Sequence, residues 1–286
     1  MSLKNIGLIE IPDSAGSAFD HGAFDPSTRR VFVAHTRRGC VEVIDHDARK
    51  HIKTLPGFPE AAGVVADAGT ILVTNRGAAS LACVDALSFE TRAVFKTGPR
   101  PNGVAIAAKH GLGVAAAIGD EIHGAKLHVV SLDGGKQYAA DLPGQPRWCV
   151  TDAAAKRVFL AIRQPSMVLV ARLPDLTHPV HWPLPSGGAH GMDIDHERGK
   201  LYVACDDAAL IEVDTSSGEV SGQWPLAGAP DVTFFNPTTG LVHVAIGKPG
   251  LVQSIDPRTG KSTQFMTNQL YVFSPTHGGA IVLADG

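Results

Sequence analysis

The sequence predicts an all-β chain folded as a seven-bladed β-propeller, closed by the N-terminal strand completing the C-terminal blade. Two observations predict it. A unit of about 42 residues recurs along the chain, clearest at 189–230, AHGMDIDHERGKLYVACDDAALIEVDTSSGEVSGQWPLAGAP. Two polar markers also keep that period in separate registers. The turn after the first strand falls at Asp25, Asp67, Ala108, Asp152, Asp195, Asn236 and Ser274. The residue ending the third strand falls at Asp45, Asp85, Ser131, Arg172, Asp214 and Asp256.

Within the unit, MDID, KLYVAC, ALIEVDT and VSGQWPL read as four short strands separated by turn formers. The same reading divides the chain into units at 17–60, 61–101, 102–146, 147–188, 189–230 and 231–269, and a last one at 270–286 joined by 3–13. Unit 1 offers VFVAHT and GCVEVIDHD, and unit 2 offers TILVTNRG and SLACVDALS. Unit 3 carries an extra loop, EIHGA, before KLHVVSLDGG. Units 4 and 6 repeat the pattern with KRVFLAIRQ and LVHVAIGKPG. The seventh supplies only LYVFSPTHGG and AIVLADG, so the apolar N-terminal run NIGLIEIPD is expected to complete it and remove an open sheet edge.

Composition narrows the function. Hydrophobic residues make up 44% and charged residues 19%, with 31 glycines, as suits a globular chain rich in tight turns. A net charge of -3 gives no basic footprint, so neither nucleic acid nor an anionic membrane surface is expected as a partner. The N-terminus lacks a signal-peptide pattern and no apolar run reaches membrane-span length, so a cytoplasmic location is expected. Cys40, Cys83, Cys149 and Cys205 stand in separate units without CxxC spacing, which argues against a zinc finger or a disulfide scaffold.

VFVAHTRRGCVEVID and ILVTNRGAASLACVD resemble the YVTN-type repeat, in which a strand, an Asn-containing turn and a strand ending in Asp recur around seven blades. The resemblance covers essentially the whole chain. It implies the fold and no single activity, since such propellers include enzymes and binding proteins. More distantly the chain is similar to streptogramin lyases and to gluconolactonase-like propellers, which place a metal at one mouth of the channel. No motif of either maps onto its polar residues.

In a four-stranded blade, the start of the first strand and the loop after the second open on one face, around the channel. The first set is His21, Glu60, Asn102, Arg147, His190, Asp231 and Gln269. The loops add His35, Asn75, Arg76, Asp120, His123, Arg163, Asp206, Lys248 and Asp285. His21-Gly22 and His190-Gly191 bring imidazoles from nearly opposite blades, which suits a divalent ion, zinc, iron or nickel rather than calcium. Asp231, Glu60 or His35 would be the third ligand. The oxygen set Glu60, Asn102 and Asp231 points instead to calcium.

Such an ion would acidify water or polarise a carbonyl, with His35 or Glu60 as base and Arg147 and Arg163 gripping a carboxylate or phosphate. The expected function is a metal-dependent hydrolase or lyase, lactonase-like, acting on a small anionic molecule at the channel mouth. The competing reading is a non-catalytic propeller that binds a protein or ligand through its faces, its histidines hydrogen-bonded without metal. GxSxG, P-loop, HExxH and GxGxxG patterns are absent, which argues against a serine nucleophile or a nucleotide cofactor.

Overall fold

The structure is a computed structural model that describes residues 7, 9–14, 17–152, 154, 156–266, 270–274 and 279–283, the last two stretches as backbone. Six antiparallel four-stranded sheets follow one another at 22–56, 61–96, 101–141, 146–183, 189–225 and 230–266. In each, the strands pair in chain order, first to fourth. These six sheets are blades 1 to 6. A two-stranded sheet, Leu270–Ser274 with Gly279–Leu283, comes after them.

First strands of successive blades run beside each other, and Leu270–Ser274 runs beside Gly22–Asp25 of blade 1. The first strands therefore wall a central channel. This corrects the expectation of seven full blades: among the described residues six sheets are four-stranded, and the sheet that follows them has two strands. Of the expected N-terminal strand, residues 1–6 and 8 lie outside the described residues. Ile9 and Ile11 are buried against Val31, Val33 and Ile44, on the face of blade 1 turned away from blade 2.

Burial follows strand position. Second strands such as Thr70–Asn75 and Lys200–Cys205 are buried along almost their whole length, because blades cover both of their faces. That is why they read as unbroken apolar runs. Fourth strands such as Thr91–Lys96 and Val220–Pro225 alternate between exposed and half-buried, as rim strands must. One apolar cluster fills each seam. Phe32, Val43, Val64 and Ile71 join blades 1 and 2; Val114, Leu127, Val158 and Leu160 join blades 3 and 4; Phe159, Met192 and Leu201 join blades 4 and 5. Each fully buried side chain of this size contributes about 1.5–3 kcal/mol.

The two sequence markers are turn caps. Asp85 Oδ1 accepts from Leu87 N at 2.8 Å and Ser88 N at 2.7 Å, and Asp195 Oδ1 accepts from Glu197 N and Arg198 N at 3.0 Å each. A short carboxylate that satisfies the turn's own amides explains why Asp recurs at those places.

One irregularity positions the functional face. In blades 2 to 6 the first strand slips by one residue against the second near its start, a β-bulge between Ala61 and Val64 in blade 2, with the same slip at Pro146/Cys149, Ala189/Met192 and Pro230/Thr233. In blade 3 it lies at the very start, where Pro101 faces Ala117 and Gly103 faces Ala116. In blade 1 the first and second strands pair without such a slip. A bulge leaves its extra residues outside the ladder and re-aims their side chains. The residues so placed are Ala62, Asn102, Arg147, His190 and Asp231. The bulge also brings neighbouring first strands very close: a Cβ on Gly103 would lie 2.2 Å from Arg147 O, and one on Gly191 2.6 Å from Asp231 O.

Candidate functional site at the channel mouth

Because Ala61 pairs with Asn75 and Ala189 with Cys205, the start of each first strand sits beside the end of the second. The bulge residues and the loops after the second strands thus share one mouth. Arg76, Arg163 and Asp206 each follow directly on a second strand, in blades 2, 4 and 5.

Blades 1 to 3 supply one half of the mouth. Asp20 Oδ1 accepts from His21 Nδ1 at 2.5 Å, and Asp20 Oδ2 accepts from Arg76 at 2.8 Å. The same Arg76 nitrogen donates to Asn102 Oδ1. Burial works against the charge on Asp20, but the hydrogen bond and charge of His21 and the charge of Arg76 hold its carboxyl below the usual range. The His21 ring stacks on Trp148 of blade 4, centroids 3.9 Å apart and planes 6° from parallel. Blades 1 and 4 are not neighbours, so this pair reaches across the channel. Below it, the first strands enclose a cavity of about 390 Å³.

Blades 4 to 6 supply the other half. Arg163 Nε donates to Asp206 Oδ2 at 2.6 Å, and His190 Nδ1 donates to Asp206 Oδ1 at 2.8 Å. Burial opposes ionisation of Asp206, yet the bonds from His190 and Arg163 hold its carboxyl below the usual range. With Nδ1 committed to Asp206, Nε2 is the basic nitrogen of His190. It stands 3.8 Å from Asp231 Oδ1.

Arg147 joins the halves. Burial comes first in lowering its pKa, followed by the nearby Arg163 and Arg76, against which Asp206 and Asp231 act. Its Nε is buried and has no hydrogen-bond partner among the described residues. A guanidinium in that state, beside two more, is an acceptor-seeking site suited to a carboxylate or phosphate.

Several expected site residues stand elsewhere. Glu60 is exposed in the link, with φ of +50°, and the bulge gives its expected place to Ala62. His35 has no exposed surface: its ring engages Ser17 and Glu42 inside blade 1, so it is neither base nor ligand at the mouth. Among the described residues, His21 is not gathered with His190 and Asp231 into one set of ligand atoms, and its Nδ1 is taken by Asp20. His190 and Asp231 retain a spacing that one ion could share. Gln269 and Asp285 lie outside the described residues. Asp20, which orients both His21 and Arg76, was not legible as a site residue because it precedes the strand in a link without a motif.

No protein-family model and no curated protein matches the chain. Solved structures do. Streptogramin B lyase superposes with a TM-score of 0.75 at 14% identity, over 91% of this chain and 85% of that one. The chain is a β-propeller. Kuenenia stuttgartiensis hydrazine synthase gives a TM-score of 0.70 at 14% identity, covering 86% of this propeller and 83% of that chain. A chain of the nidogen/laminin complex gives 0.66 at 14%, covering 80% and 91%. At these identities the likeness concerns the fold alone. No helix among the described residues of the propeller is long and apolar enough to cross a membrane.

Proposed function

We propose that this propeller is an enzyme, a hydrolase or lyase that acts on a small anionic molecule held at the channel mouth. The observation that carries the reading is Arg147, whose buried Nε lacks an acceptor while Arg76 and Arg163 raise the local positive field. Arg147 and Arg163 grip the anion. His190, oriented by Asp206, exchanges the proton through Nε2, as an elimination or a water attack requires. Two of the structural neighbours are named as a lyase and a synthase, which is consistent with an enzymatic propeller. In the metal-dependent form of the reading, His190 Nε2 and Asp231 Oδ1 hold one divalent ion, leaving positions open for water and substrate.

The test is titration calorimetry of the full chain with a panel of small carboxylates and phosphates, followed by turnover assays on esters, lactones and elimination substrates, each with and without zinc, iron, nickel or calcium. Anion binding lost in Arg147→Met, together with turnover lost in His190→Gln, supports the reading. Binding without turnover on any class makes the propeller a ligand-binding protein, and no anion binding overturns both.

A further inference from the structure

Blade 1 buries a side-chain set that no other described blade repeats. His35 ends its second strand, Cys40 opens its third directly opposite, and Glu42 lies two residues on, hence on the same face. The corresponding residues are Asn75, Ser80 and Ala82 in blade 2, and Cys205, Ala209 and Ile211 in blade 5. His35 and Glu42 are 0% exposed and Cys40 is 3% exposed, and their ligand atoms all lie within 4.8 Å of one another. His51, from the fourth strand, places Nε2 2.8 Å from Glu42 Oε2.

We infer that His35 Nδ1, Cys40 Sγ and Glu42 Oε1 form a buried site for one divalent ion of the zinc class. An imidazole, a thiolate and a carboxylate are donors that such an ion takes. The three donors lie inside blade 1, apart from the open mouth of the channel, and His51, bonded to Glu42 Oε2, stands outside the set. Partners for the outer sphere are already present. Ser17 Oγ lies 2.6 Å from His35 Nε2, and Thr54 Oγ1 donates to Glu42 Oε2 at 2.6 Å, so the ring and the carboxylate are both oriented. One thiolate and one carboxylate neutralise the dication, and Arg38, 3.9 Å from Glu42 Oε1, is itself paired with Asp13 Oδ2 at 3.1 Å.

Without the ion, Glu42 Oε1 accepts from His35 Nδ1 at 2.7 Å and from Cys40 Sγ at 3.4 Å. Burial, then Glu42, pushes the Cys40 thiol up to about 12. Binding therefore forms the metal–sulfur bond and releases one proton, that of Cys40, to solvent. The His35 proton moves from Nδ1 to Nε2, so that Ser17 turns from donor to acceptor, while His51 keeps its bond to Glu42 Oε2. Ser17 belongs to the link that leads into the first strand, so the ion would tie that link to the body of blade 1. The inference is independent of the chemistry at the mouth.

The test uses the full chain, stripped with a chelator and reloaded with zinc or cobalt(II). The expected result is one ion per chain, a thermal midpoint that rises on zinc loading, and a near-ultraviolet thiolate-to-cobalt charge-transfer band. Cys40→Ser should abolish that band while Cys83→Ser, at a buried cysteine of blade 2, keeps it. The wild-type spectrum alone is decisive should Cys40→Ser fail to fold. A chain that takes up no ion, or that binds cobalt without a charge-transfer band, overturns the inference.

Discussion

Asp193→Asn should change how stability depends on pH, with a sign that the structure fixes. Asp193 lies in the first strand of blade 5, where Oδ2 accepts from Phe235 N of blade 6 at 2.7 Å and Oδ1 accepts from Ile194 N at 2.8 Å. No side-chain cation is paired with it among the described residues. Burial therefore dominates, and despite the two amides the carboxyl is raised from 3.8 to about 6. A raised carboxylate holds its proton in the native state after the unfolded chain has lost it, so wild-type stability falls as pH rises between about pH 4 and pH 6. Two units correspond to at most about 3 kcal/mol. Asparagine cannot ionise. Its one carbonyl can keep the inter-blade bond to Phe235, at a pH-independent cost of about 1 kcal/mol for the lost acceptor. Urea unfolding of both proteins from pH 4 to pH 8 isolates the effect, because all other groups cancel in the difference. The variant should gain on wild type by up to about 3 kcal/mol across that window. Parallel curves would show that Asp193 titrates as an ordinary carboxylate and would refute the burial argument.

Other outcomes follow from the same geometry. His243, raised on the second strand of blade 6, has its pKa lowered by burial to about 4, so stability present above about pH 6.5 is lost as pH falls. His243→Asn should flatten that acid limb in the same unfolding series, and an unchanged limb would count against it. Gly103→Ala places a methyl 2.2 Å from Arg147 O and should cost about 1–3 kcal/mol, read as a lower urea midpoint; a variant as stable as wild type means that the close approach is relaxed in solution. Removing residues 1–13 takes Ile9 and Ile11 off Val31, Val33 and Ile44 and should lower the thermal midpoint, whereas an unchanged midpoint would mean that this contact adds nothing to stability.

Period and register were legible because burial on both faces makes each second strand a continuous apolar run, and because turn amides select Asp at the turns. Arg147, Arg163, His190 and Asp231 were legible as mouth residues because each keeps the spacing of the repeat. Glu60 was misplaced because a β-bulge adds a residue without changing the apolar pattern, so counting to the strand start cannot tell Glu60 from Ala62. His35 was misplaced for a different reason: the end of a second strand aims its side chain into the blade, and only the following residue, Arg76 in blade 2, turns to the mouth. Glu42 and Cys40 read as ordinary members of an alternating strand, and nothing in GCVEVID reveals that His35 gathers with both of them.

The charge pattern at the mouth decides between a solvated rim and a binding site. A solvated rim predicts arginines that are exposed or paired. Arg76 meets that description through Asp20, and Arg163 through Asp206. Arg147 does not: its Nε is buried without an acceptor, a loss of about 1–3 kcal/mol relative to water that rim solvation does not offset. A bound anion would restore the acceptor and relieve the repulsion among three guanidiniums together. Binding to the native state alone then stabilises the fold by about 2.7 kcal/mol at a hundredfold excess over Kd. Wild type should therefore melt higher as phosphate or a small carboxylate is added at constant ionic strength. Arg147→Met, which keeps the apolar stem beside Trp148 and removes the donor, should not respond. Equal shifts in the two proteins would mean that the anion acts elsewhere and that Arg147 belongs to the wall of the channel.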